Sequence, residues 1–259
     1  MTKMTKAERN ELIQNGRKML KPDWHKYDFE QCDGNKGVKP LPIEKPFFPD
    51  SRFIELIPLG QTSCGNELLP KIIMNRHSTR KYSDVSLSLK ELSYLIWTTQ
   101  GLKKYDEEWG SAEKVVPSAG MTHCIETYLY IDRAEGVGKG IYRYLPKEQR
   151  LIEIKAVDDT DSVTEKLNNA MRGQMFGAAV VFLWTAMPYK MEYAYMEVSH
   201  KMIALEAGHI CQNLYLGAES INCGCCAIGA YYQDEIDNLL GIDGENEFVI
   251  YIGTVGKYI

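Results

Sequence analysis

The feature that most restricts the fold is the run Ala178–Thr185 (AAVVFLWT), eight residues without a charge. A strand with one face in water alternates apolar and polar residues. A run this uniformly apolar and this short reads as a central strand buried on both faces. Such a strand needs apolar layers above and below it. The longest helical stretch, Tyr193–Glu219, follows closely and brings Met196, Ile203, Leu205, Ile210, Leu214 and Leu216.

Further elements surround this pair. Thr127–Ile131 (TYLYI) and Gly140–Leu145 (GIYRYL) are β-branched and aromatic, and Glu247–Thr254 (EFVIYIGT) closes the chain as another strand. The Gly-rich segment Glu135–Gly140 joins two strands and opens no helix, so it reads as a hairpin turn and not as a nucleotide loop. Leu89–Thr99 carries Leu92, Leu95 and Ile96 on one face, and Ser88 with Glu91 forms a capping-box signature at its start. Another helix is expected from the run that begins at Asn66, starting regularly at Pro70 and ending near Arg76. Strands and helices intermix without a βαβ repeat, which favours α+β over a doubly wound sheet.

The N-terminal part differs in character. Lys6–Leu20 places Leu12, Ile13, Met19 and Leu20 at roughly helical spacing, and Pro40, Pro42, Pro46 and Pro49 follow. Prolines at that density fix φ and remove backbone donors, so this stretch should run extended over the surface. The expected division is residues 1–53 as helix plus Pro-rich arm and residues 54–259 as the main domain.

Composition excludes several roles. A net charge of −5 argues against general affinity for nucleic acid. The longest apolar stretch, Phe176–Met187, is about half of the roughly 20 residues that a spanning helix needs. The polar N-terminus lacks the apolar middle of a signal peptide, so a cytoplasmic location is expected. Seven unevenly spread cysteines do not form a disulfide framework.

Four segments are candidates for chemistry. In Arg76-His77-Ser78-Thr79-Arg80, two guanidinium groups four residues apart can converge on one anion; a solvated polar turn is the plain alternative. Pro117-Ser118-Ala119-Gly120 is small enough for a flat ligand to approach the backbone, or is simply a tight turn. Cys223–Ala230 (CGCCAIGA) invites a zinc reading, but a structural zinc site wants two separated ligand pairs. It reads better as a loop of small residues with amides facing a ligand, and no metal is expected. Lys257 follows Gly253 and Gly256, where it reaches an anion or is a terminal solvated charge.

Taken in order, RHSTR, PSAG-(x)2-H-(x)2-ET, GIYRYLP, LEAGHICQNLYLGAES, CCAIGA and IGTVGK resemble the FMN-dependent nitroreductase superfamily. Within it they resemble the branch that includes the SagB-type dehydrogenases of thiazole/oxazole-modified peptide biosynthesis. The resemblance runs from about Ile54 to Lys257. It implies a nitroreductase-like α+β fold, a central mostly antiparallel sheet flanked by helices, and an intertwined homodimer sharing its FMN sites. It assigns Arg76, Ser78 and Arg80 to the flavin phosphate and ribityl chain and His77 to the pyrimidine edge. Pro117, Ser118, Ala119 and Gly120 of the other subunit would lie on the isoalloxazine. Cys226, Ala227, Ile228, Gly229 and Ala230 would offer amides toward N5, and Lys257 would reach the phosphate. Arg172 and Gln174 are further candidates at the pyrimidine, and Trp97 and Leu102 at the interface.

The implied reaction is ping-pong electron transfer from NAD(P)H through FMN to a small conjugated or nitroaromatic acceptor. The azoline-oxidising members carry a Lys-Tyr pair ahead of the Ala-Gly-His sequence. Here the matching positions are Ala194 and Tyr195, so only Tyr195 is retained as a catalytic candidate, unless Lys190 substitutes through a shifted turn. The alternatives are a SagB-like azoline dehydrogenase and a non-catalytic flavin-binding subunit of a biosynthetic complex.

Overall fold

The computed structural model describes residues 4–157 and 162–259. Eight helices and nine strands are seen among them. The helices are α1 (Lys6–Leu20), α2 (Leu59–Thr62), α3 (Leu69–Asn75), α4 (Leu89–Gln100), α5 (Val163–Ala170), α6 (Pro188–Tyr195), α7 (Ser199–Glu219) and α8 (Gln233–Leu240). The strands are β1 (Phe53–Glu55), β2 (Leu102–Asp106), β3 (Ser111–Lys114), β4 (Ile125–Ile131), β5 (Gly140–Leu145), β6 (Arg150–Ala156), β7 (Val180–Ala186), β8 (Cys223–Ile228) and β9 (Phe248–Lys257).

Seven strands form one sheet in the order β1-β6-β5-β4-β7-β9-β8, and every pairing is antiparallel. The apolar run occupies β7, which is buried at every residue. Its side chains alternate between two cores. Val180, Phe182 and Trp184 face one core with α4 and α7, whereas Val181 and Leu183 face the other with α5 and α8. This double coverage explains why the sequence lacks the polar alternation of a one-sided strand.

The Ser88–Glu91 capping box forms in full and starts α4 at Leu89. The expected long helix is not continuous. Met196 adopts φ 42°, ψ −130°, which ends α6 at Tyr195, and α7 begins at Ser199 after a single 3-10 turn. The Cys223–Ile228 stretch also departs from expectation, being an edge strand and not a loop. Its small residues permit close packing: a Cβ at Gly224 would lie 2.6 Å from the Thr79 side chain.

Residues before β1 run along the main sheet and its helices. α1 is capped by Thr5 and Glu8 yet buries none of its residues. The Pro-rich segment is pinned more firmly. Tyr193 Oη donates to Val38 O at 2.7 Å, Lys190 Nζ to Ile43 O at 3.0 Å, and Arg143 Nη2 to Pro46 O at 3.0 Å. Lys45 pairs with Glu247 and donates to Tyr128 Oη. Proline leaves these carbonyls without competing amides of its own, so side chains from α6 and β5 can take them.

Candidate active site

Helix α7 organises the candidate residues into two groups. Near its C-terminal end, Tyr215 Oη lies 2.9 Å from Ser78 Oγ and accepts the Ala227 amide at 2.8 Å. The Arg76 guanidinium sits over the Tyr215 ring, 5.2 Å from its centroid. The RHSTR segment docks on the free edge of β8: Ser78 bridges Cys225, and the Thr79 amide donates to Cys225 O at 2.9 Å. A single buried tyrosine thus ties together two of the four expected segments.

The charges there are open. Among the described residues, neither Arg76 nor Arg80 pairs with a carboxylate, and Arg80 is exposed. Both guanidiniums lie close enough to the β8 thiols to favour their ionisation, Arg76 at Cys225 and Arg80 at Cys226, although burial is the larger influence and pushes both thiols up. His77 stacks against Tyr258 with centroids 5.8 Å apart. Lys257 lies on β9 near the same edge, but its ammonium is bound to Glu91 at the start of α4. Two guanidiniums, a serine hydroxyl and an edge strand form a donor set suited to a phosphate monoester, so the residues present fit the phosphate end of FMN.

Gly229 and Ala230 follow β8 and are exposed. Gln174 Nε2 holds Ala230 O at 2.8 Å, and Arg172 lies 5.9 Å from the Tyr232 ring. Both sequence candidates before β7 therefore stand beside this loop.

The Pro117–Gly120 turn lies elsewhere. Ser118 Oγ donates to Glu206 Oε2 at 2.6 Å, near the N-terminal end of α7. Gly120 has φ 56°, and a Cβ there would come within 2.7 Å of Tyr195 Oη. Tyr195 thus accompanies the turn and not the arginines. Glu206 and Tyr215 are nine residues apart, about 14 Å along the axis and half a turn round it. The two groups therefore sit on opposite faces of α7 within one subunit.

A buried polar network that the sequence reading missed lies behind the turn. Lys190 Nζ donates to Glu126 Oε1 at 2.7 Å, and Lys114 Nζ to Gln100 Oε1 at 3.0 Å. Burial would raise the Glu126 carboxyl, but Lys190 and Lys114 hold it below the ordinary range. A cavity of about 180 Å³ adjoins this network and the Pro-rich arm, lined by Pro40, Leu41, Gly120, Thr122, His123 and Lys190 among others. Lys190 and Glu126 are far apart in sequence and nothing there links them, so only the fold reveals the pair.

Several cysteines are held as thiols by burial. Burial pushes Cys211 and Cys223 up to about 12 and Cys225 well above the usual thiol range. Among the described residues no cluster of three or more His, Cys, Asp or Glu is placed to hold a metal. None of the described helices is long and apolar enough to cross a membrane.

Comparison with known proteins agrees with this geometry. Residues 73–257 match the model of the Nitroreductase family. A Methanocaldococcus jannaschii protein provisionally named a nitroreductase is 31% identical over 193 residues, covering 74% of this chain and 91% of its own. A crystal structure from Ralstonia eutropha, provisionally named likewise, superposes with a TM-score of 0.65 at 24% identity over 86% of this chain and 96% of its own. One from Anabaena variabilis gives the same TM-score at 26% identity; the match covers 83% of this chain but only 43% of that longer chain. A chain of the E. coli microcin synthetase McbBCD complex shares the fold over 98% of this chain and 95% of its own, with a TM-score of 0.58 and 15% identity. The chain belongs to the nitroreductase family and is an oxidoreductase of that family.

Proposed function

We propose that the protein is an FMN-dependent oxidoreductase that works as a homodimer, each flavin site being built from both subunits. The observation that carries this reading is the placement of the two residue groups on opposite faces of α7. The Arg76–Arg80 segment and the Pro117–Gly120 turn are attached to opposite sides of this helix in one chain, which supports reading them as halves of different sites. Two copies packed along α7 would bring the turn of one subunit to the arginines of the other. An exposed apolar patch beside the arginines supports such packing: Leu68, Leu69, Ile73 and Met74 are 72%, 56%, 56% and 84% exposed.

In this reading Arg76, Ser78 and Arg80 bind the phosphate and ribityl chain, with His77 at the pyrimidine edge. Pro117, Ser118, Ala119 and Gly120 of the partner cover the ring. Cys226, Ala227 and Ile228 belong to a strand whose Ala227 amide is already given to Tyr215. The amides nearest N5 are therefore assigned to Gly229 and Ala230. Lys257 acts through Glu91 and the local potential. FMN supplies hydride transfer when bound, and the protein orients it and sets its surroundings. NAD(P)H is the reductant and a small conjugated or nitroaromatic molecule the acceptor. Tyr195, beside Gly120, is the side chain placed to donate a proton at the ring face.

Peptide azoline oxidation is the second reading, favoured by the fold shared with the microcin synthetase chain. It needs a base, and Ala194 stands at the lysine position. Lys190 is bound inside to Glu126 and Ile43 O, which removes it from that role. The test is the visible spectrum of the purified protein, with the released chromophore identified and the mass measured by sedimentation. Flavin bands, released FMN and a dimer are expected. A colourless protein that takes up no added FMN would overturn the reading, as would a monomer that holds it.

A further inference from the structure

Two deeply buried side-chain atoms behind Ser118 have no hydrogen-bond partner: His123 Nδ1 and Glu206 Oε1, which face each other at 3.9 Å. Their side chains are 3% and 1% exposed. His123 Nε2 lies 2.8 Å from Ala112 O, and a carbonyl only accepts, so Nε2 carries the proton and Nδ1 is a bare lone pair in the neutral ring. Glu206 Oε2 already accepts from Ser118 Oγ at 2.6 Å and from Cys124 Sγ at 3.5 Å. With Glu206 ionised, two desolvated lone pairs would oppose each other, an arrangement that burial makes costly. One proton between them removes the conflict.

We infer that Glu206 carries this proton at neutral pH, directed at His123, and that the neutral acid positions the Pro117–Gly120 turn by holding the Ser118 hydroxyl inward. The surroundings decide which partner keeps the proton. Glu206 comes from α7, and Ser118, His123 and Cys124 come from the segment before β4. Facing them are Lys114 from β3, Glu126 from β4 and Lys190 from α6. Burial pushes His123 down to about 4, and Lys114 and Lys190 add to that, while burial pushes Glu206 up against the opposing pull of the Ser118 hydroxyl, Lys114 and Cys124. Ser118 Oγ also accepts the His123 amide at 3.0 Å, so the acid, the serine and the histidine backbone fix one another. Glu206 is a positioning residue: it touches Ser118, not a ligand. Its value to the site rests on the reading that this turn covers a flavin. A neutral acid keeps a full negative charge from lying one hydrogen bond behind a ring that gains electrons.

The test begins on the ligand-free full chain. Infrared difference spectra of wild type against E206Q at pH 7 should show a protonated carboxyl band that E206Q removes and E44Q leaves in place. Its absence from the wild-type-minus-E206Q difference would overturn the inference. In parallel, the unfolding constant of wild type relative to E206Q should rise about tenfold per pH unit between pH 5 and 7, because the folded wild type holds one proton that its unfolded chain has lost. A flat ratio contradicts the inference. If E206Q fails to fold, H123Q gives the second reading: its amide oxygen can accept the same proton, so the band should shift and persist, and its absence would again refute the assignment. In FMN-loaded protein, E206Q should leave the flavin midpoint potential at pH 7 unchanged. A rise would mean that wild-type Glu206 is a carboxylate. Failure to bind FMN would refute the proposed function and leave the infrared and unfolding results to decide this one.

Discussion

The two ends of α7 treat charge in opposite ways. Around Tyr215, Arg76 and Arg80 have no carboxylate partner among the described residues, and their neighbours are a hydroxyl, an aromatic ring and a strand edge. Around Glu206 the polar and charged groups are internally engaged: Lys190 holds Glu126, Lys114 holds Gln100, and Glu206 holds Ser118. The first arrangement leaves electrostatic free energy available to a ligand. The second spends it on fixing the backbone against which a ligand would rest. A site assembled from both has one part that binds and one part that keeps its shape.

The largest effect should come from the open end. R76A/R80A removes two charge-assisted anchors worth roughly 1.5–3 kcal/mol each. FMN affinity should fall by about two to four orders of magnitude, measured by fluorescence titration, with little change in the melting temperature of the ligand-free protein. A parallel loss of stability would show that these arginines are structural and would erase the contrast.

The closed end should behave in the reverse sense. K190M leaves Glu126 buried without its partner, which costs about 3–5 kcal/mol in comparable sites. Urea unfolding should reveal it, and K190M/E126L should recover a large part of the loss. An undiminished midpoint in K190M would mean that the pair contributes nothing and that the end is not closed.

A smaller effect tests where the closed end meets the arm. Burial pushes the Glu44 carboxyl up to about 7, opposed by the Lys147 amide that it accepts at 2.9 Å. The folded state therefore holds a proton that the unfolded chain has lost, and stability declines as pH rises from about 4.5 to 7. E44Q should be more stable than wild type at pH 8, by about 1–2 kcal/mol after allowance for solvent screening. It should match wild type at pH 4, and a gain that is equal at both pH values would contradict the assignment.

The smallest effect belongs to α1. T5A removes the hydroxyl half of a capping box and leaves the Thr5 amide bonded to Glu8, and the helix buries nothing, so global stability should fall by less than about 1 kcal/mol. A larger loss in the thermal melt would mean that α1 is packed against something, which a second subunit would supply.

These contrasts explain what could be read in advance. β7 and α4 were legible because a doubly buried strand and a capping box are local patterns, and the order of the six short segments identified the family. The break at Met196 was not legible. It is a positive-φ residue with no glycine to mark it, inside a stretch whose apolar spacing suits one helix. β8 was misread as a loop because Gly224, Cys225 and Ala227 lack the β-branched signature of a strand. They are small because Thr79 and Tyr215 pack against the strand edge. Open charges such as Arg76 and Arg80 cluster in sequence and could be found there. Compensated charges such as Lys190 with Glu126, and buried polar groups such as His123 facing Glu206, come together across the fold and could not.

The most direct test of the shared site is complementation between two defective chains. One carries R76A/R80A and the other Gly120→Val, which would crowd Tyr195 at a positive-φ position. Each homodimer should bind no FMN. Equal amounts unfolded and refolded together should recover about a quarter of the wild-type sites, because half of the dimers are mixed and each mixed dimer holds one intact site of two. No recovery, with mixed dimers present by differential tagging, would place both segments of each site in one chain and contradict the account.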